Sequence, residues 1–213
     1  MSGEKLGSIS PDWDTADIKM CAKKYGCSFN DIIMAMISVS LHRYFIKRNE
    51  PQNQVRMGLP ASFRKVPKTA EALELNNDIA LFFIDLALHP EIEDGLKSVQ
   101  TEIRKFRTNF KPFAVYYMVK FFIKVPLIIY LWLSDIATTK ISITLSNVAG
   151  PKTPLIYDGV KCGKIVFFLP FIGKYTCGLS IISVTNKVKA GFITDKTIMD
   201  DPDEFMEIFD QVK

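Results

Sequence analysis

One long apolar helix constrains the fold of this chain more than any other segment. Residues 27–48 read CSFNDIIMAMISVSLHRYFIKR. Ser28 and Asp31 form a capping box, in which the hydroxyl and the carboxylate each satisfy a backbone N–H that the start of a helix leaves unpaired. Apolar residues then recur at helical spacing, and they are Ile32, Ile33, Met36, Ile37, Leu41, Tyr44 and Phe45. The pattern predicts a helix from about 29 to 48 that is buried along a wide face.

Further helices are predicted on both sides of this one. Capping and stop signals place them at about 14–25, ending at Gly26, at 91–109, and after Asp201-Pro202. Strand patterns alternate with these helices. They cover 79–88, 141–146, 164–171, and two strands joined near Asn186-Lys187. The strand at 79–88 is apolar on both faces and is therefore expected in the centre of a sheet.

Composition places the 213-residue chain among folded globular proteins, since 48% of its residues are hydrophobic and 23% are charged. The net charge of +4 comes from 27 basic and 23 acidic residues scattered along the chain. This argues against nucleic-acid binding and is compatible with an anionic membrane surface or an anionic cofactor. No signal-peptide core is visible near the N-terminus. We expect residues 1–13 to be a flexible extension and residues 14–213 to form a single domain.

The most hydrophobic stretch, residues 113–136, approaches the length of a membrane span. Lys120, Lys124 and Pro126 interrupt it near the middle, and a lysine at the centre of a bilayer costs roughly 2.5–3.5 kcal/mol. A transmembrane helix is therefore disfavoured. Two interpretations stay open: a kinked helix or helix pair buried in the core, or one that lies in a membrane interface with its lysines pointing outward.

Signatures of catalysis and metal binding are absent from the sequence. His42 and His89 belong to no paired or metal-binding motif, and no GxSxG, GxGxxG or Walker-type loop occurs. The cysteines form no CxxC pair and are expected to be free thiols in a reducing compartment; they are Cys21, Cys27, Cys162 and Cys177. We assign neither catalytic nor metal-ligating residues to this chain.

Five short motifs follow one another along the chain. They are NDIIMAMISVSLHRY, VRMGLPASFR, NNDIALFFIDL, LSNVAGPKTPLIYDG, and GLSIISVTNKVKAGFITD followed by an acidic terminal helix. Their order resembles that of the wax ester synthase/diacylglycerol acyltransferase family. The family typically shows an ND helix start, a P-x-S-x-R segment, SNVPGP and a late hairpin. The resemblance reaches from about Asp14 to Val212. Ala149 replaces the first proline of SNVPGP, and Asn186-Lys187 replaces an Asn-Gly turn.

The resemblance implies an α/β fold, a mixed β-sheet of about five or six strands flanked by helices, as in one half of a coenzyme A-dependent acyltransferase. Such enzymes have two similar halves with the active site in a tunnel between them. An HHxxxDG motif in the N-terminal half supplies the histidine base that activates a fatty alcohol or diacylglycerol hydroxyl for attack on acyl-CoA. That motif does not occur in this sequence. The implied partners are an N-terminal half, from the same precursor or a separate chain, the acceptor lipid, and acyl-CoA as co-substrate, with no tightly bound cofactor.

Eight residues would line the substrate and coenzyme channel by this resemblance. They are Asn30, Asp31, Ser62, Arg64, Ser146, Asn147, Gly150 and Pro151. Structural alternatives stay open for them: Asn30 and Asp31 would only cap a helix, residues 146–151 would form a strand exit, and Arg64 would be solvated instead of facing a phosphate of coenzyme A.

Three functions remain compatible with the sequence. The chain would be an acyltransferase half that is inactive alone, a non-catalytic lipid-binding or scaffold protein with the same fold, or a peripheral membrane module whose residues 113–136 dock on a lipid droplet or the endoplasmic reticulum. The expected location is peripheral, on the cytoplasmic side of the endoplasmic reticulum or another membrane. A soluble cytoplasmic protein is the alternative.

Overall fold

The computed structural model describes residues 1–63, 69, 79–108, 117, 125–170 and 176–212. Its helices are α1 (Thr15–Lys24), α2 (Phe29–Lys47), α3 (Ile92–Thr108), α4 (Leu127–Thr138) and α5 (Pro202–Val212). Helices α1, α2 and α3 each begin and end within one residue of the predicted range. Gly26 follows α1 with a φ of 60°, which is the left-handed conformation expected of a glycine that stops a helix.

The strands are β1 (Lys5–Ile9), β2 (Trp13–Asp14), β3 (Gln54–Ser62), β4 (Ile79–Ala87), β5 (Ile143–Ala149), β6 (Ile156–Tyr157), β7 (Val160–Lys161), β8 (Cys177–Val184) and β9 (Lys187–Asp195). The main sheet has the order β1-β9-β8-β5-β3-β4, with β2 also paired to β9, and β6 and β7 form a separate hairpin. Strand β5 is parallel to both β3 and β8, whereas the other described pairs are antiparallel. The mixed α/β sheet is therefore confirmed, with seven described strands instead of five or six.

Helix α2 lies at the centre of the core. Its capping box forms as predicted, with the Ser28 hydroxyl accepting the Asp31 N–H at 3.2 Å and the Asp31 carboxylate accepting the Ser28 N–H at 2.8 Å. Twelve of its nineteen residues are buried. On one side α2 faces the alternating core residues of the sheet, and on the others it contacts α3 and α5. A helix buried on so many sides needs several covering elements, and these elements lie together on one face of the sheet.

The prediction of a central position for β4 is wrong. This strand lies at the edge of the sheet formed by the described strands and pairs with β3. Its burial alternates, so that Phe82 and Ile84 face the core while Ile79 and Phe83 are exposed. Apolar residues on both faces misled the prediction, because apolar content alone does not distinguish a doubly covered strand from an edge strand with one open face.

The prediction of a strand at 164–171 is also wrong. Residues 164–170 form no strand, and residue 171 lies outside the described residues. The segment runs over the sheet face opposite the helices, where glycines leave room for it. A Cβ atom on Gly191 would lie 2.7 Å from the carbonyl oxygen of Phe167, and one on Gly178 would lie 3.1 Å from Leu169. The Ser180 hydroxyl donates a hydrogen bond to the same Phe167 carbonyl. The apolar residues of this segment therefore cover the sheet and do not extend it.

Two local predictions need correction. The turn between β8 and β9 is Thr185-Asn186, one residue earlier than expected, and Thr185 adopts the positive φ of 59°. The N-terminal segment is not a flexible extension, because β1 pairs with β9 along its whole length, from Lys5 opposite Asp195 to Ile9 opposite Gly191. The sheet thus begins before residue 14.

Only part of the stretch 113–136 is described, namely residue 117 and residues 125–136. Helix α4 begins directly after Pro126, where the sequence predicts a break. Leu127, Ile128, Leu131 and Trp132 are each more than half exposed, so the described part of this stretch does not lie in the core. Within the described residues, no helix is both long enough and apolar enough to cross a membrane.

Asp195 attaches the N-terminal segment to the end of β9. Its side chain is fully buried and accepts hydrogen bonds from the Thr197 hydroxyl at 2.6 Å, from Lys5 Nζ at 2.9 Å and from the backbone N–H of Ser2 and of Gly3. These donors stabilise the ionised form. They hold the pKa of the Asp195 carboxyl group far below its ordinary range, with Thr197 as the largest cause and Lys5 as the next.

We expect Asp195 to make the stability of the protein depend on acid pH. A carboxyl group whose pKa is lowered by folding stabilises the folded state above its unfolded pKa of about 3.9, and this contribution is lost as the pH falls below that value. The free energy of unfolding of Asp195→Asn, measured in urea, should therefore be lower than that of the wild type at neutral pH and should fall less between about pH 5 and pH 3. Asp200→Asn changes a carboxylate that is 69% exposed and should follow the wild type. Parallel curves for Asp195→Asn and the wild type would contradict the assignment.

Candidate functional site

The predicted channel residues lead to a cleft at the carboxyl ends of β3 and β5, where the N-terminus of α2 also lies. Because β3 and β5 run parallel, their carboxyl ends meet at the same edge of the sheet. The cleft has a volume of about 290 Å³. We call it the α2 cleft, and its walls are Ser28, Asn30, Asp31, Met34, Leu59, Pro60, Ala61, Phe82, Ile103, Phe106, Leu145 and Asn147. Clefts at the carboxyl edge of α/β sheets are frequent binding sites.

A hydrogen bond between two asparagines closes one end of the α2 cleft. The Asn147 side chain, on β5, donates from Nδ2 to Asn30 Oδ1, on the first turn of α2, at 2.5 Å. Both residues are exposed, and they are 117 positions apart in the chain. The structure thus brings together one member of the ND pair and one member of the SNVAGP segment. Each amide group retains polar atoms that could bind a ligand.

Asp31 has a different role from its neighbour Asn30. Its side chain is 8% exposed in total, and its carboxylate accepts the N–H of Ser28 in the capping box. The carboxylate also lies at the positive end of the α2 dipole, which favours its negative charge. Asp31 therefore holds the start of α2 in place beside the cleft. Its role as a helix cap accounts for both of its hydrogen bonds.

The rest of the cleft wall is apolar. Side chains of α2, β3, β4, α3 and β5 form it. They are Met34, Leu59, Ala61, Phe82, Ile103, Phe106 and Leu145. The Phe82 and Phe106 rings contact each other edge to face, with 5.2 Å between their centroids. An apolar wall with polar groups at one end suits a ligand that has a hydrocarbon body and a polar head.

Gly150 and Pro151 lie outside the α2 cleft, at the exit of β5. The Gly150 N–H donates to the Ser183 carbonyl at 2.8 Å, and the Thr185 N–H donates to the Pro151 carbonyl at 2.8 Å. A Cβ atom on Gly150 would lie 2.5 Å from the Ser183 carbonyl oxygen, so only glycine allows this approach. The backbone here is shaped by its contact with β8, which accounts for the glycine without a ligand.

Ser146 and Ser62 do not line the cleft. Ser146 is half-buried and lies on the opposite face of β5 from Asn147, because successive side chains of a strand alternate. Ser62 is exposed at the end of β3, two residues beyond Pro60. Arg64 lies outside the described residues. The described members of the predicted set therefore divide into a cleft group, Asn30, Asp31 and Asn147, and four residues that lie elsewhere.

Sequence reasoning missed the apolar half of the cleft. Ile103 and Phe106 belong to the predicted apolar face of α3, and Phe82 belongs to a predicted strand, but nothing in the sequence indicates that they meet. Apolar periodicity shows only that such residues are buried. Which of them line a cleft depends on where α3 ends relative to β3 and β5.

The sequence is similar to a known family and to a known protein. Residues 75–212 match the model of the family described as WS/DGAT C-terminal domain. The chain is also similar to "O-acyltransferase WSD" of Acinetobacter baylyi, with 22% identity over 200 residues, which are 90% of this chain and 42% of that protein.

Solved structures share the fold at low identity. The wax ester synthase/diacylglycerol acyltransferase from Marinobacter aquaeolei VT8 matches with a TM-score of 0.62 and 16% identity, over 99% of this chain and 48% of that chain. The first condensation domain of the calcium-dependent antibiotic synthetase, in complex with a substrate analogue, matches with a TM-score of 0.57 and 11% identity, over 100% of this chain and 46% of that chain. This chain thus spans less than half of the length of these relatives, and likeness at such identity shows the fold alone.

Substitution of Gly150 tests whether the β5 exit is structural. Gly150→Ala places a methyl group against the Ser183 carbonyl and should lower the free energy of unfolding by about 1–3 kcal/mol, as overpacked sites do. Gly163→Ala is the matched control, because a Cβ atom there meets nothing within 4 Å. Chemical denaturation of both variants gives the comparison. Equal stability of Gly150→Ala and the wild type would show that the close approach to β8 does not require glycine.

Proposed function

Because this chain belongs to the WS/DGAT C-terminal domain family, which is an acyltransferase family, we propose that it is the C-terminal half of an O-acyltransferase that moves a fatty acyl group from acyl-CoA to a long-chain alcohol or diacylglycerol. The observation that carries this proposal is the α2 cleft, which joins an apolar wall to the Asn30–Asn147 pair. The hydrocarbon part of an acyl or alcohol chain would contact Phe82, Ile103 and Phe106. The ester-forming oxygens would lie at the polar end.

The chemistry of the proposed reaction needs a base that the described cleft does not supply. The acceptor hydroxyl must lose its proton as its oxygen attacks the thioester carbonyl, and the thiolate of coenzyme A then leaves. His42 lies on α2 away from the cleft wall, and His89 follows β4 at the edge of the sheet opposite the cleft. The proposal therefore assigns the base to an N-terminal half with an HHxxxDG motif, and assigns binding and positioning to this chain.

Asn30 and Asn147 are the positioning residues of this proposal. Their amide groups are fixed to each other, so they present polar atoms at a defined place and need little reorganisation when a ligand binds. An amide N–H that faces the thioester carbonyl would stabilise the negative charge that develops on its oxygen. The neighbouring N-terminus of α2 would act in the same direction.

A non-catalytic lipid-binding or scaffold protein is the second candidate. The α2 cleft would hold the same hydrocarbon ligands, and the two functions differ only in whether acyl transfer follows when the other half is present. The proposed location is the cytoplasmic side of the endoplasmic reticulum or another membrane, with a soluble cytoplasmic protein as the alternative.

Helix α4 supports a peripheral contact with a membrane or lipid droplet. The exposed residues of its first two turns are all apolar or aromatic, and they are Leu127, Ile128, Ile129, Tyr130, Leu131 and Trp132. Trp and Tyr favour the boundary between headgroups and hydrocarbon, and Lys140 shortly after the helix would face anionic headgroups. Such a contact would bring the cleft close to its lipid substrates.

Reconstitution tests the acyltransferase proposal. The chain should transfer acyl groups from acyl-CoA to a long-chain alcohol when it is combined with an HHxxxDG half, encoded upstream or copurified, and should show no transfer alone. Asn147→Ala should lower kcat about tenfold or more, because it removes the proposed donor at the polar end. Asn53→Ala changes an exposed asparagine at the other edge of the sheet and should leave kcat unchanged. Transfer by the chain alone would refute the assignment of the base to another half, and absence of transfer by the combined halves would favour the non-catalytic candidate.

Flotation with liposomes tests the role of α4. Ile129→Glu and Leu131→Glu place charges on the exposed apolar surface and should reduce the fraction of protein that floats with vesicles of phosphatidylcholine and phosphatidylglycerol. Met20→Glu is the control, since Met20 is 67% exposed on α1. If both α4 variants float as well as the wild type, α4 is not the membrane contact.

A further inference from the structure

A second cleft, on the other face of the sheet, is rich in lysine. It lies between the β8–β9 turn, the segment that follows β7 and the loop before β2, and its volume is about 200 Å³. We call it the lysine cleft. Its charged walls are Lys161, Lys164, Lys187, Lys189 and a single carboxylate, Asp12. Four ammonium groups lie around Asp12, and Asp14 beside the cleft pairs with one of them, so the cleft keeps a net positive charge.

The lysines reach this cleft from two separate parts of the chain. Lys187 and Lys189 are two residues apart on β9, so their side chains lie on the same face of the strand. That face is the one opposite the helices, since the intervening Val188 is fully buried in the core. Lys161 and Lys164 come from the end of β7 and the segment after it. The concentration of charge is therefore a product of the tertiary structure, because no block of lysines exists in the sequence.

Two of the lysines are held by the protein itself. Lys189 Nζ lies 3.0 Å from Asp12 and donates to the Ser10 carbonyl at 3.1 Å, and its side chain is only 13% exposed. Lys187 Nζ lies 2.9 Å from Asp14. The hydrogen bond from Lys189 is the largest cause that lowers the pKa of the Asp12 carboxyl group, and the charges of Lys164 and Lys187 act in the same direction. Asp12 and Asp14 thus hold Lys189 and Lys187 in place and compensate two of the four positive charges.

The other two lysines remain available for a ligand. Lys164 is 70% exposed and approaches Asp12 only to 3.8 Å, and Lys161 is exposed with no ion pair to any residue that the structure describes. Polar atoms of Thr185 and Asn186 complete the wall. Exposed lysines beside two fixed ones form a site for several closely spaced negative charges, as on a phosphomonoester or a diphosphate.

The lysine cleft lies at the same edge of the sheet as the α2 cleft. Asn147 of the α2 cleft lies beside Ile181 in the pairing of β5 with β8. Val184 of the lysine cleft is three residues further along β8, which is roughly 10 Å. The two clefts open on opposite faces, with the exit of β5 between them. A ligand with a phosphorylated end and a long flexible arm could therefore occupy the lysine cleft and extend around the sheet edge towards the α2 cleft.

We propose that the lysine cleft binds the phosphate groups of a small soluble ligand and, if the proposed function holds, those at the nucleotide end of the acyl-CoA co-substrate. The geometry assigns Lys161 and Lys164 to direct contact with the ligand. Lys187 and Lys189, each held by a carboxylate, form the wall behind them.

Binding of coenzyme A to the full chain tests this proposal by calorimetry at fixed ionic strength. Coenzyme A should bind more tightly than 3′-dephospho-coenzyme A, and inorganic pyrophosphate should compete with both. The double variant Lys161→Gln/Lys164→Gln should bind coenzyme A about tenfold or more weakly, which corresponds to the loss of charge-assisted contacts. The control Lys23→Gln/Lys97→Gln removes two charges from exposed lysines outside both clefts and should bind as the wild type does. The proposal would be overturned if the cleft variant and the wild type bound coenzyme A equally well. It would also be overturned if neither coenzyme A nor pyrophosphate bound to the wild type.

Two further measurements separate the possible sources of phosphate and the two proposals. If the cleft variant loses binding to phosphatidylglycerol vesicles but keeps its affinity for coenzyme A, the ligand is a lipid headgroup and the proposal of a soluble ligand fails. If the reconstituted enzyme with the cleft variant keeps the wild-type KM for acyl-CoA, the lysine cleft does not bind acyl-CoA, while the proposed acyltransferase function stands. If binding of coenzyme A depends on Lys161 and Lys164 but the reconstituted enzyme transfers no acyl group, the proposed function is refuted and the proposal for the lysine cleft stands.

Discussion

The burial of helix α2 is the constraint on which the rest of this structure depends. Nearly two thirds of the residues of the helix are buried, so it must be enclosed by the sheet on one side and by α3 and α5 on others. The capping box of Ser28 and Asp31 fixes where the helix begins. Because that start lies at the carboxyl edge of β3 and β5, the same burial that stabilises the core also creates the polar end of the α2 cleft.

Close approaches at three glycines explain part of the remaining architecture. Gly150 lets β5 leave the sheet against β8, and Gly178 and Gly191 let the segment 164–170 lie directly on the sheet face. A Cβ atom would lie 2.5 Å from a carbonyl oxygen at Gly150 and 2.7 Å from one at Gly191, and it would fit tightly at Gly178, 3.1 Å from Leu169. The glycines therefore help to determine which segments can lie against the sheet.

The described residues supply binding features of three kinds. Apolar walls, an asparagine pair and a lysine-rich cleft are present, and they suit the binding of a fatty chain, a polar head and phosphates. Neither histidine lines either cleft. The proposed function therefore assigns binding and positioning to this chain and proton transfer to a second domain.

The sequence by itself determined the elements that local patterns control. The ends of α1, α2 and α3, the capping box, and the start of the terminal helix at Pro202 follow from capping chemistry and apolar periodicity, which act within a few residues. The ordered motifs further indicated the family. Tertiary structure decided what depends on distant partners: β4 lies at the edge, Phe167 covers the sheet, and β1 is fixed through Asp195. It alone joined Asn30 to Asn147 and gathered lysines from two segments around Asp12, because contacts across more than a hundred residues depend on how whole elements pack and leave no periodic signal in the sequence.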